Sequence, residues 1–310
     1  MINPRITTIG NVTIDDIVIY DSHKMFLNTI GGDALFSAIG AKLWGASPLV
    51  VARVGKNFPD DFDGQVTAAG MQTAFVKVGA YDIHNWALYE PGGARQFINH
   101  LTSGSHYDMS ITAGELPDAC LKTDGIHVAP MPTDVQLGII EKISDDKKTG
   151  QVLSWDPQEL YLSEPKFNQM AYQMLERVDL FLPSREEIFA MCGKDDLMRI
   201  VQKLAPRGPK AIAVKMSTDG ALVFNQDNQR IYHVPIYPAR TVDPTGAGDS
   251  FCGGFLTAFL RTGDAVEAAC HGTVASSYVV EAIGALNTFK ADFSDMEERL
   301  AIVKQHVKLL

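Results

Sequence analysis

The segment from Thr241 to Phe259, TVDPTGAGDSFCGGFLTAF, places a turn, a glycine-rich stretch and an apolar helix in immediate succession. Asp243–Pro244–Thr245 is turn-forming, and Gly246–Ala247–Gly248 opens a helix carrying Phe251, Phe255, Leu256 and Phe259. The first N–H groups of a helix have no intrahelical acceptor and its dipole favours negative charge, so such a turn is a site for an anion. Small residues let the backbone come close to a phosphoryl group. Asp249 falls in the first turn beside that site. Alone it reads as an ordinary helix-start acid. Beside a transferring phosphoryl group it reads as the base that takes the proton of an attacking hydroxyl. Gly253–Gly254 cost about 1 kcal/mol each in a helix interior and predict a close approach of another helix.

Other glycine-loop chemistries do not fit. No GxxxxGK[ST] string occurs, the third position of a dinucleotide fingerprint is Phe251, and no GxSxG elbow is present. The eight histidines show no HExxH spacing, and Cys120, Cys192, Cys252 and Cys270 lie far apart, as reduced thiols without a zinc or redox motif. A net charge of −10 argues against nucleic acid or an anionic membrane surface as partner, though not against a phosphate ligand held by backbone N–H groups. The start, MINPRITTIGNVTIDD, lacks the basic-then-apolar run of a signal peptide, and no apolar stretch is long enough to span a bilayer. These features predict a cytoplasmic protein without a membrane partner.

The elements that must position this turn follow a βαβ rhythm. Candidate strands are Ile6–Gly10, Leu49–Val54, Gly125–Val128, Val152–Trp155, Asp179–Leu182, Ala211–Lys215 and Ala221–Phe224. Helical segments fall between them at Asp33–Trp44, Asp60–Gly70, Thr133–Ser144, Pro165–Glu176, Arg185–Cys192 and Asp195–Leu204. The alternation predicts an α/β fold: one doubly wound, mostly parallel sheet with helices on both faces, and ligands at the carboxyl ends of its strands. Two segments break the rhythm. Val12–Tyr20 alternates directly after the first strand, and Trp86–His100 reads as a hairpin around Pro91–Gly92–Gly93–Ala94. They are expected to form a small antiparallel lid, from about 12–30 and 84–103, on a single domain spanning 1–310. The bland alternative is a decorative hairpin.

DPTGAGDSFCGGF resembles the C-terminal signature of the ribokinase/PfkB carbohydrate and nucleoside kinases, and the resemblance runs through the whole chain. Gly10–Asn11–Val12–Thr13–Ile14–Asp15 is similar to the family's first strand with its substrate-binding aspartate, and Gly31–Gly32 to its acceptor-contacting glycine pair. The resemblance implies an ATP-dependent kinase with a ribokinase-like fold. In it Asp249 is the catalytic base, the N–H groups of Gly246, Ala247 and Gly248 form the anion hole, and Asp15, Gly31 and Gly32 hold acceptor hydroxyls. VKMSTDGALVF, with Lys215, Ser217, Thr218 and Gly220, resembles the ATP-contacting strand–loop–strand. Thr241, Asp243 and Thr273 are expected to flank the adenine and ribose, Glu187 to organise Mg²⁺ through water, and Trp155–Asp156–Pro157 to form a DPN-like strand end. A monovalent cation near Asp243 and the Ala282–Gly284 loop is a further implied possibility.

Three positions depart from the pattern. Phe36 stands where the family usually has a sugar-contacting Asn, and reads either as core or as part of the acceptor site. Asp33 supplies polar contacts there or caps its helix. The NxxE motif has become Ser184–Arg185–Glu186–Glu187, and the usual glycine after Lys215–Met216 is Ser217. Arg95, past the hairpin turn, either reaches an anionic group in the cleft or lies solvated. The expected reaction is transfer of the ATP γ-phosphoryl to a sugar or related polyol. A nucleoside acceptor stacked on Phe36 and a non-catalytic sugar- or nucleotide-binding regulator are the alternatives. A homodimer pairing through the lid is also an expectation.

Overall fold

The computed structural model describes residues 3–90, 95–162 and 164–310, with the backbone alone for Arg95, Leu160 and Tyr161. Ten strands form one sheet, in the order Lys308–Leu309, Arg230–Val234, Ala221–Asn225, Ala211–Lys215, Leu180–Phe181, Val152–Trp155, Gly125–Val128, Arg5–Ile9, Ser47–Val54 and Gln72–Lys77. The seven from Ala211–Lys215 to Gln72–Lys77 are mutually parallel, and the other three add on antiparallel. Strands covered on both faces are mostly apolar, which is why IAVK and VLSW show no regular polar–apolar alternation. Successive residues still divide between two cores. Ala211 and Ala213 face the helices Ala247–Thr262 and Ala265–Val279, while Ile212 and Val214 face the opposite layer. Among the described residues no helix is long and apolar enough to cross a membrane.

The sequence-predicted helices are present, and the Arg185–Cys192 bounds agree residue for residue. Strands Gln72–Lys77, Arg230–Val234 and Lys308–Leu309 were not anticipated, because they lie at or next to the sheet edges with one or both faces half-exposed. Gly253 and Gly254 do mark a close helix approach. A β-carbon at Gly253 would overlap the Ser37 carbonyl, one at Gly40 would overlap that of Ser250, and one at Gly254 would meet Ala275 Cβ at 3.0 Å. The helices Asp33–Leu43, Ala247–Thr262 and Ala265–Val279 therefore touch backbone to backbone.

A separate four-stranded sheet runs Lys24–Gly31, Thr13–Ile19, Ile83–Tyr89, Arg95–Asn99. The hairpin pairing is as expected, Tyr89 opposite Arg95 through Asn85 opposite Asn99; the Pro91–Ala94 turn and the Arg95 side chain lie outside the described residues. The expectation of a wholly antiparallel sheet is corrected: Thr13–Ile19 and Ile83–Tyr89 pair in parallel. Both leave carboxyl ends of parallel strands in the large sheet, Arg5–Ile9 and Gln72–Lys77, so they emerge pointing the same way. Lys24–Gly31 escaped notice as a strand because its first five residues are mostly exposed on both faces.

Backbone-close packing of this kind tolerates no added methyl. Gly253→Ala should lower stability by about 1–3 kcal/mol or more. Gly138→Ala should be neutral or stabilising by up to about 1 kcal/mol, since its β-carbon would meet nothing nearer than Ala113 Cβ at 4.0 Å. Urea unfolding of the two variants checks this, and an equal loss in both would contradict the seam.

Candidate active site

Gly246 ends the turn in the left-handed region, at φ 77°, and caps the Ala247–Thr262 helix. Ser250 N–H donates to Gly246 O at 2.9 Å, and Ala247 N–H closes the turn with a long 3.3 Å bond to Pro244 O. Of the three N–H groups assigned to an anion hole, that of Ala247 thus already has an intrachain acceptor. The ring of Phe36 lies directly under Gly246, where a β-carbon would overlap it, and its Cε2 sits 3.7 Å from the place of a β-carbon on Gly31. Phe36 is 3 % exposed and belongs to the core. It carries both glycine elements on one aromatic ring, which leaves it no free face for stacking on a base.

The acceptor-side residues converge above that ring. Gly32 has φ 102°, and a β-carbon there would overlap Asn11 O. Asp15 Oδ2 accepts from Thr13 Oγ1 at 2.8 Å and Oδ1 accepts from Asn85 Nδ2 at 3.0 Å. Burial lifts the Asp15 carboxyl to about 6, the two hydrogen bonds pull it back, and the charges of Asp243 and Asp16 add to the rise. Asn85 is a site residue that sequence reasoning missed; it stands directly opposite Asp15 in the strand register. Asp33 Oδ1 accepts from Asn11 N–H at 2.7 Å, so it pins the first strand's end to the helix start. Burial and the charge of Asp249 hold Asp33 well above the usual carboxylate range, against its backbone hydrogen bonds.

Beneath the anion turn lies a buried ion cluster. Lys215 Nζ pairs with Asp156 Oδ2, which also accepts from Cys252 Sγ at 3.4 Å, and a β-carbon on Gly248 would lie 3.6 Å from the ammonium. Lys215 was expected on ATP; its side chain is instead turned inward, 14 % exposed. Burial pulls its pKa down, but Asp156, Cys252 and Glu187 more than reverse this. Burial lifts Asp156 and Glu187, each further raised by a neighbouring carboxylate and eased by Lys215. Asp156 Oδ1 is buried without a hydrogen-bond partner. Asp249, half-buried, is near enough for its charge to act on Asp33, Asp156 and Cys252.

Ser184 and Glu187 form a capping box: Glu187 N–H donates to Ser184 Oγ at 3.2 Å and Ser184 N–H to Glu187 Oε2 at 2.6 Å. The S-x-x-E spacing carried that signal. Ser217, at the glycine position, has φ 53°, so the backbone keeps the left-handed turn at some strain. It shares an exposed turn with Thr218, and Gly220 closes that turn at φ 84°. Arg185 braces it through Asp219 at 2.6 Å. Thr241 is exposed and Thr273 is buried in the Ala265–Val279 helix. Asp243, expected at the ribose, is 2 % exposed. Its Oδ1 accepts from Thr245 N–H at 2.8 Å and from the Tyr89 hydroxyl, which also lies 3.0 Å from Thr245 Oγ1. Asp243 organises the turn and links it to the small sheet, and Tyr89 is the second residue sequence reasoning missed.

Ionising Asp156 or Glu187 in the fold costs stability above their raised pKa values and costs nothing below the unfolded ones; losing Lys215 enlarges that cost. Lys215→Met should therefore destabilise by about 3–5 kcal/mol near pH 8 and by markedly less near pH 5. Denaturant unfolding at both pH values decides it, and a pH-independent loss would rule out the electrostatic account.

A model of the pfkB family carbohydrate kinases matches residues 3–292. The chain is 25 % identical over 261 residues to a cytidine kinase of Thermococcus kodakarensis, covering 83 % of this chain and 88 % of that one. It superposes on a Burkholderia thailandensis nucleoside kinase in complex with inosine at TM-score 0.74, 18 % identical, over 97 % and 98 % of the two chains. An Arabidopsis thaliana ribokinase complexed with ribose and ATP gives TM-score 0.73 at 19 % identity, over 96 % and 99 %. The chain belongs to the pfkB family of carbohydrate kinases and is an ATP-dependent kinase.

Proposed function

We propose that this kinase moves the γ-phosphoryl of ATP to a hydroxyl of a sugar or sugar derivative, with Asp249 as base. The observation that carries the reading is the Phe36 ring, which seats Gly246 of the anion turn and Gly31 of the Asp15 pocket side by side. An acceptor hydroxyl lying between them meets Asp249 from the phosphate side. Asp15, Asn85 and Thr13 offer the acceptors and donors that a polyol needs. With its carboxyl at about 6, Asp15 is ionised at neutral pH and accepts hydrogen bonds from acceptor hydroxyls. Asp249 takes the hydroxyl proton as the bond to phosphorus forms, and the Gly246–Gly248 helix start stabilises the charge on the phosphoryl oxygens.

The pair of Asp156 and Glu187 around one ammonium, with Asp249 near Asp156 and with Asp156 Oδ1 unpartnered, fits a hydrated Mg²⁺ held through water by Asp156 and Glu187. When bound with ATP, that ion would neutralise phosphate charge. Ser217, Thr218 and Gly220 then form the nucleotide rim, and a monovalent cation beside Asp243 and the Ala282–Gly284 loop remains part of the reading. The small sheet, from about 12–30 and 84–103, acts as the lid, and its exposed Met25, Leu27 and Ile98 suit pairing between two lids in a homodimer. Sedimentation velocity checks that point, a monomer at working concentration counting against it.

A nucleoside acceptor is the second reading. Phe36 no longer supports it, but the likeness to a cytidine kinase does. ATP consumption over a panel of pentoses, hexoses, cytidine and inosine separates the two. Turnover confined to nucleosides would replace the free-sugar assignment. With the best acceptor, Asp249→Asn should reduce turnover by about 10²–10⁴-fold, the usual range for a lost general base, while ATP still raises the melting temperature. Near wild-type turnover would remove Asp249 from its role.

A further inference from the structure

The small sheet carries a second constellation on the face opposite Asp15. Asp16 is 6 % exposed and, as the next residue along Thr13–Ile19, points away from the acceptor pocket. Its Oδ1 accepts from Asn28 N–H at 2.8 Å. Its Oδ2 lies 3.0 Å from His84 Nε2, with which it hydrogen-bonds, and 3.1 Å from His100 Nε2. That His100 nitrogen is buried and makes no hydrogen bond. The two imidazoles stack with centroids 3.8 Å apart and 13° from parallel, and Trp86 stacks on His100 as well. One carboxylate oxygen and two ring nitrogens thus lie within 4.8 Å of one another.

We propose that Asp16, His84 and His100 bind a divalent transition-metal ion of the Zn²⁺ type. Tetrahedral zinc with nitrogen and oxygen ligands at about 2.0–2.2 Å has ligand–ligand edges of roughly 3.3–3.6 Å. The two edges on Asp16 Oδ2 fall a few tenths of an ångström short of that. Two imidazoles select against Mg²⁺ and Ca²⁺, which take oxygen ligands, and in favour of zinc, cobalt or nickel. Three protein ligands leave a fourth position for water. Asn28 N–H fixes the carboxylate in the manner of an outer-shell partner. To share the ion, the His100 ring must turn its Nε2 lone pair toward the point between Asp16 Oδ2 and His84 Nε2, a rotation within its stack on His84 and Trp86. The ion would also supply the missing partner of that nitrogen.

The consequence is mechanical. Asp16, His84 and Asn28 belong to three strands, and His100 follows the fourth, bonding His84 O through its own N–H at 2.9 Å. An ion here ties all four strands of the small sheet together, whichever hydroxyl is phosphorylated on its other face.

Calorimetric titration of ZnCl₂ into the full chain at neutral pH, without nucleotide and with excess Mg²⁺, tests this. The expected result is one Zn²⁺ per chain in the wild type and in a His306→Gln control. Binding should weaken more than about 10-fold in His84→Gln and in His100→Gln, a loss that even outer partners can cause. Co²⁺ added to the wild type gives a check that needs no variant: intense visible bands of a four-coordinate imidazole site support the proposal, and the weak spectrum of hydrated Co²⁺ overturns it. Equal Zn²⁺ uptake by wild type and folded His84→Gln/His100→Gln chains, or none by the wild type, overturns it too.

Discussion

The backbone-to-backbone contact between the helices Asp33–Leu43 and Ala247–Thr262 is the constraint on which the rest depends. Glycines at 40 and 253 bring the two axes closer than any side chain would permit. Each helix begins at a site glycine, Gly32 on one and Gly246 on the other. Fixing the helices against each other fixes those two starts, which is how residues more than 200 positions apart come to share one ring. Rigid elements, rather than loops, hold the groups proposed to react, and that is what catalysis by positioning requires.

Charge sets the second condition. Asp33, Asp156 and Glu187 all carry raised pKa values, Asp249 adds its charge beside Asp33 and Asp156, and Lys215 is the cation that offsets Asp156 and Glu187. Such a cluster is strained in the absence of a cation and repels anions until one arrives. The helix N-terminus supplies attraction of the opposite sign, but only at its end. In the proposed function, phosphate binding and cation binding would be coupled by this arrangement of fixed charges, and Lys215 keeps the carboxylates from destabilising the fold.

Much of this was legible before the fold was known. The buried parallel strands, the anion turn with Asp249, and Asp15 with Gly31–Gly32 all announce themselves through local pattern. Tyr89 and Asn85 do not. Tyr89 meets Asp243 across 154 positions, and a tyrosine in an alternating strand carries no mark of its distant partner. The pairing of Lys215 with Asp156 was hidden for the same reason, since Asp156 follows the end of a different strand. Ser184 is a different case. Its S-x-x-E spacing is a capping signal in plain sight, and only the comparison with NxxE made it look like a loss. Lid topology was misjudged because pairing direction follows from where strands leave the large sheet, which no single segment records.

Phe36 gives the two halves of the site unequal freedom to change. In this chain Phe36 packs against both glycine elements, so a single exchange there would disturb the Gly246 turn and the Gly31 pocket together. Thr13, Asp15 and Asn85 stand on the small sheet, joined to the anion turn through the Tyr89 hydroxyl. Lineages descending from such a scaffold can exchange those walls and so acquire new substrates while inheriting the transfer chemistry intact. Diversification of this kind is modular, with the small sheet as the part free to vary.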